Sequence, residues 1–124
     1  LIDTDVMIDA GRGLSAAVTF LQQQQAVSGI RISVITAMEL IRGCRHAREL
    51  TVVQSAVASF TVLPITPAIS QRAHQLVAAF YLSHAMSIPD ALIAGTALEH
   101  TVPLYSRNVR HFQMIPGLVI TPPY

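Results

Sequence analysis

Apolar and polar positions follow one another along this chain in blocks whose period changes from block to block. Leu1–Asp3 is a short apolar run ending on an acid, and reads as the tail of a buried strand. Ser15–Gln25 places Ala16, Val18, Phe20 and Leu21 toward one side, which predicts a helix with the Gln22–Gln25 run as its polar end. Arg31–Ile35 is rich in β-branched residues and predicts a strand, followed by a helix from Ala37 through Gly43. His46–Phe60 reads as a longer helix and Thr61–Pro64 as a short strand. Pro67–His84 is predicted helical, starting on the residue type that favours a first turn. Pro89–Glu99 is a further helix, Val102–Tyr105 a strand, and Leu118–Ile120 a last short strand before Pro122 and Pro123. Strands alternating with helices imply an α/β fold on a mostly parallel sheet. No repeat, linker or low-complexity stretch divides the pattern, so residues 1–124 are expected to form a single domain.

Composition sharpens this picture in three places. Hydrophobic residues make up 52% of the chain and charged residues 12%, against roughly 25% charged in an average domain. With no apolar run of membrane-spanning length and no signal-peptide layout, the expectation is a soluble, cytoplasmic protein with no membrane association. Its surplus apolar surface would be covered by a partner or a second copy. The lone Cys44 has no disulfide partner and no zinc-type spacing, and reads as a small buried hydrophobe. The net charge of +1 excludes no partner, because a local arginine patch can hold phosphate without a basic total.

The residue inventory cuts harder. There is no lysine, and all eight basic side chains are arginine. The carboxylates number seven: Asp3, Asp5, Asp9, Glu39, Glu49, Asp90 and Glu99. In an open parallel sheet, ligands bind beyond the carboxyl ends of the strands. Asp3 ends the first strand; Glu39 is expected on the first turn of the helix leaving Arg31–Ile35; Ser106, Arg107 and Asn108 follow Val102–Tyr105; Asp90 opens the helix before it. Each acid also has an ordinary explanation. Thr36 and Glu39 have capping-box spacing, Ser87 and Asp90 a similar one, and Asp3 or Thr4 would cap a short helix through Asp9. Capping alone gives no reason for an aspartate ending an apolar strand, and clustered buried carboxylates are costly unless compensated. A hard divalent cation, Mg²⁺ or Mn²⁺, supplies that compensation through oxygen ligands. Such a centre suits phosphodiester hydrolysis without a covalent nucleophile. Arg42, three positions after Glu39, and Arg107 and Arg110, flanking Asn108, are candidate phosphate contacts. His111 is a lesser candidate for substrate contact or proton transfer. His46, His74, His84 and His100 read as surface or interface residues, and Phe112 as packing beneath the loop.

Four segments carry a resemblance: Leu1-Ile-Asp-Thr-Asp-Val-Met-Ile-Asp9, Ile35-Thr-Ala-Met-Glu-Leu40, Ile88-Pro-Asp-Ala-Leu-Ile-Ala94 and Tyr105-Ser-Arg-Asn-Val-Arg-His-Phe112. In order and spacing they resemble the PIN domain family, and within it the VapC-type toxins of toxin–antitoxin pairs. That resemblance implies a three-layer α/β/α sandwich, Mg²⁺ or Mn²⁺ in an acidic pocket, and endonucleolytic cleavage of RNA. It further implies a homodimer and a VapB-type antitoxin that blocks the site. Matched residue by residue, Asp3, Glu39 and Asp90 fall on the family's first three acids, the expected metal ligands. The fourth position falls on Asn108, where many members carry aspartate, so a second metal position is expected to be weak until RNA phosphate completes it. Asp5 is a candidate to compensate, and Ser106 keeps a hydroxyl suited to hold Asp3 or a water.

Rival readings are fewer. The opening around Asp3 and Asp5 also resembles haloacid-dehalogenase-like phosphatases, and the alternation fits a receiver domain. Both rely on a lysine that this chain lacks. The remaining alternative keeps the fold but treats Asn108 as the mark of a weakened site in an RNA- or protein-binding module.

Overall fold

A computed structural model describes residues 1–124. Its helices are α1 (Thr4–Gly11), α2 (Ser15–Val27), α3 (Val34–Arg42), α4 (Ala47–Ala58), α5 (Pro67–His84) and α6 (Ile88–Glu99). Its strands are short: β1 (Arg31–Ser33), β2 (Thr61–Leu63), β3 (Leu104–Tyr105) and β4 (Ile120–Thr121). β1 pairs in parallel with β2, and β3 in parallel with β4. The first chain segment joins the two pairs. The Ile2 N–H donates to Arg31 O at 3.0 Å, and on its other side Tyr105 N–H donates to Leu1 O and Asp3 N–H to Tyr105 O, both at 2.9 Å. The resulting order is β2, β1, residues 1–3, β3, β4.

Side chains alternate across a strand, and two apolar clusters show the consequence. Leu1 and Leu104 face one cluster, built with Leu76 of α5, Ile93 and Ala97 of α6, and Phe112. Ile2 and Ile32 face the other, with Val6 of α1, Phe20 of α2 and Ala37 of α3. Helices therefore cover both faces of the sheet, the layered arrangement expected. α5 and α6 approach closely at Gly95, where an added Cβ would lie 3.3 Å from the Ile69 carbonyl oxygen.

Three boundaries differ from expectation in ways that matter for the site. β1 stops at Ser33 because Ser33 caps α3, its Oγ accepting from Ile35 N–H at 3.1 Å. Val34 and Ile35 thus open a helix, despite their β-branched character, and α3 starts three residues before Ala37. Glu39 lies on its second turn instead of its first. Thr36 is buried inside α3 and is not a cap, so the Thr36–Glu39 capping box does not form. Helix α1 was legible only as a capping alternative. His46 caps α4 and lies outside it, its Nδ1 accepting from Glu49 N–H at 3.3 Å. Cys44 is half-buried, with Sγ donating to Leu40 O at 3.4 Å, so it is not the fully buried hydrophobe expected.

Candidate active site

Asp3 sits where the chain leaves the sheet and enters α1. It is only 5% exposed. Oδ1 accepts from Thr4 N–H at 2.8 Å, and Oδ2 accepts from the Ser106 hydroxyl at 2.7 Å. Asp3 is thereby both the N-cap of α1 and an acid shared with the loop after β3. Burial pushes its pKa up to about 7; the Ser106 bond opposes this, and the charges of Asp5 and Asp90 add to it.

Asp5 lies in the first turn of α1 and is half-buried. Its Oδ2 accepts from Arg107 N–H at 2.9 Å and stands 3.3 Å from Ser106 Oγ. Its Oδ1 is buried with no hydrogen-bond partner. Burial raises the Asp5 pKa as well, against the bond from Arg107 N–H. Ser106 is fully buried and serves three neighbours, because its Oγ also accepts from Asn108 N–H at 3.0 Å. One hydroxyl proton cannot serve two carboxylates at once, and the shorter contact assigns it to Asp3.

Glu39 reaches the same region from α3. The Thr4 hydroxyl donates to Glu39 Oε1 at 2.8 Å and stands 2.9 Å from Thr36 Oγ1. Asp90 comes from the start of α6, where Ser87 Oγ accepts from its N–H at 3.2 Å. Its carboxylate is directed elsewhere, with Oδ2 3.3 Å from His111 Nδ1. Asn108 is exposed and precedes a short 3₁₀ turn, Val109–His111, without capping it through its side chain. Phe112 is 1% exposed in the core beneath this turn.

Asp3 and Asp5 meet at Ser106, Glu39 is held by Thr4 and Asp90 faces His111, and no three His, Cys, Asp or Glu side chains converge at ligating distance. Such a donor set fits a largely hydrated hard ion, since Mg²⁺ typically takes one or two carboxylates and keeps several waters. The unpartnered Asp5 Oδ1 and the uncompensated charge on buried Asp3 are the features a cation would satisfy. Arg42 and Arg110 are exposed at the end of α3 and in the 3₁₀ turn. Arg107, expected at phosphate, is instead paired with Asp9, which also accepts from the Tyr124 hydroxyl at 2.7 Å. Thr4, Asp9 and Tyr124 were not among the expected site residues. The spacing of Asp5 and Asp9 points to one helix face, but nothing local signals Tyr124, 115 positions away.

Residues 1–117 match the PIN domain family. Ribonuclease VapC10 of Mycobacterium tuberculosis is 38% identical over 125 residues, spanning 100% of this chain and 92% of that protein. A toxin–antitoxin complex from Klebsiella pneumoniae contains a chain of similar fold, with TM-score 0.78 and 30% identity over 99% of this chain and 96% of that one. A chain of DNA-bound VapBC from Salmonella typhimurium gives TM-score 0.83 at 24% identity over 99% of this chain and 96% of its own, a likeness of fold alone.

Proposed function

Because the chain belongs to the PIN domain family, we propose that it is an endoribonuclease, the toxin of a toxin–antitoxin pair, working with Mg²⁺ or Mn²⁺. The observation that carries this reading is the buried Asp3. Its carboxylate is fixed by Thr4 N–H and Ser106 and lies within charge reach of Asp5 and Asp90, at the carboxyl end of a parallel sheet. Asp3, Asp90 and Glu39 are the side chains that would hold a divalent ion, one or two of them directly and the rest through its water shell, since no three acids converge at ligating distance. When bound, that ion supplies charge neutralisation at the phosphate and activation of the attacking water.

The chain's own residues prepare the rest. Thr4 and Ser106 aim the Glu39 and Asp3 oxygens, so the acids are oriented before substrate arrives. The exposed Asn108 amide offers a carbonyl oxygen or an N–H to a water or phosphate without adding charge. Arg42 and Arg110 are exposed guanidinium groups available to the RNA backbone.

An antitoxin is supported by a groove of about 780 Å³ between α1, α3 and α4. Ile8, Leu40 and Val53 give it apolar lining, Arg12 and Arg48 add guanidinium groups, and Arg45 is paired with Glu49, a mixed surface that suits an amphipathic helix. Exposed Tyr81 and Leu82 on α5 and Ile88 on α6 offer apolar ground for a second copy.

The purified chain, freed of antitoxin, is expected to cut single-stranded RNA with Mn²⁺ present. EDTA and Asp90→Asn should each abolish cleavage. Tight RNA binding without cleavage under any divalent metal would overturn the enzyme reading and leave a binding module.

A further inference from the structure

Asp9 follows Asp5 by four residues on α1, the spacing that places two side chains on one helix face. Its Oδ2 accepts from Arg107 Nη1 and, at 2.7 Å, from the Tyr124 hydroxyl. Arg107 therefore grips α1 twice, through its guanidinium at Asp9 and through its backbone N–H at Asp5 Oδ2, 2.9 Å away. The neighbours of Arg107 are Ser106, which holds Asp3, and Asn108, whose N–H donates to Ser106 Oγ. The ring of Tyr124 stands edge-on to Phe20 of α2, with centroids 6.4 Å apart, which fixes where the phenol points. Hydrogen bonds from Tyr124 and Arg107 hold Asp9 below the usual carboxylate range, so it stays charged as their common acceptor.

We propose that Asp9 and Tyr124 are positioning residues for the acidic site, clamping Arg107 to α1 and so fixing the loop Ser106–Asn108 where Ser106 meets Asp3. The proposal rests on the metal-dependent reading above and adds to it a contribution from the C-terminal segment of the chain. Arg107 is about half exposed (51%), and ion pairs of that kind contribute little to global stability. The clamp's effect is local: it narrows the positions open to the loop.

The test compares wild type with Asp9→Asn, Tyr124→Phe and Asp9→Glu in three measurements. These are amide hydrogen exchange at Arg107 and Asn108, Mn²⁺ binding by calorimetry, and the urea unfolding midpoint. Loss of one hydrogen bond corresponds to about a three- to tenfold change. Asp9→Asn and Tyr124→Phe should speed exchange at those two amides and weaken Mn²⁺ binding by about that factor, with little change in the midpoint. Asp9→Glu should recover part of both losses. Tyr124→Phe added to Asp9→Asn should cost little more, since Tyr124 acts through Asp9. Unchanged exchange at Arg107 and Asn108 would overturn the clamp. Faster exchange with unchanged Mn²⁺ affinity would overturn its positioning role. A wild-type protein that binds Mn²⁺ but cuts no RNA would overturn the ribonuclease reading alone, because exchange and metal binding still decide the clamp.

Discussion

Replacing Asp3 with asparagine removes one buried charge while keeping the shape of the side chain. The asparagine carbonyl can still accept from Thr4 N–H, and its amide can donate to Ser106 Oγ, whose own proton is then released toward Asp5 Oδ2, 3.3 Å away. In wild type, burial raises the Asp3 pKa from 3.8 to about 7. The folded state therefore keeps a proton that the unfolded chain gives up between those two values. The sign follows: this contribution is full below about pH 4 and is lost as pH rises through about 7. A shift of about three pK units corresponds to roughly 4 kcal/mol, and rearranged hydrogen bonding in the variant takes back about 1 kcal/mol. In EDTA, Asp3→Asn should thus be about 1 kcal/mol less stable than wild type near pH 4 and roughly 3 kcal/mol more stable near pH 8. Urea unfolding at one fixed protein concentration reads this directly; the fixed concentration matters because association adds its own stability. With Mn²⁺ present near pH 8, wild type should regain stability and the variant should not. The crossing is the signature. A variant that is less stable by the same amount at both pH values would show that Asp3 carries no desolvated charge, and the argument for a cation at this site would fall with it.

Two further expectations follow from single contacts. Asn108→Asp adds a carboxylate beside Ser106 and should raise the number or affinity of Mn²⁺ ions bound without RNA; calorimetric stoichiometry equal to wild type would argue against a weak second position. Gly95→Ala sets a Cβ 3.3 Å from the Ile69 carbonyl oxygen between α5 and α6, and should lower stability by about 1–3 kcal/mol in urea unfolding; a gain in stability, as helix propensity alone predicts, would mean that the helices separate freely.

The alternation of strand and helix was legible because each apolar block carries its own period. The strand ends were not. Val34 and Ile35 look extended by residue type, yet Ser33 supplies a cap and starts a helix there, a case of tertiary context and capping outweighing propensity. That shift of three residues changes what Glu39 does. Freed from a capping box, its carboxylate is held by Thr4, on a different element and 35 positions away. Asp3, Asp90, Ser106 and Asn108 could be placed at one sheet edge because each borders a strand or opens a helix, and those positions show in the pattern. The Asp9–Arg107–Tyr124 contact could not, since it joins residues 98 and 115 positions apart with no local period linking them.

Capping and metal binding stood as competing explanations for the acids, and the geometry is compatible with both at once. A carboxylate has two oxygens, and Asp3 spends Oδ1 on the α1 terminus and presents Oδ2 to Ser106. Asp90 lets Ser87 satisfy its N–H and keeps its carboxylate for other partners. Asp3, Asp5 and Asp90 all sit at the cap or first turn of a helix, where the partial positive charge of the helix end favours an acid. The fold thus collects helix N-termini at the carboxyl end of the sheet, which offsets part of the repulsion among the carboxylates there. The same helix ends favour anions in general, phosphate included. Glu39 is the exception: it lies on the second turn of α3, beyond the reach of that effect, and needs a hydroxyl donor from α1 to hold it. Thr4, adjacent to the most buried acid of the group, therefore ties the orientation of Glu39 to that of Asp3.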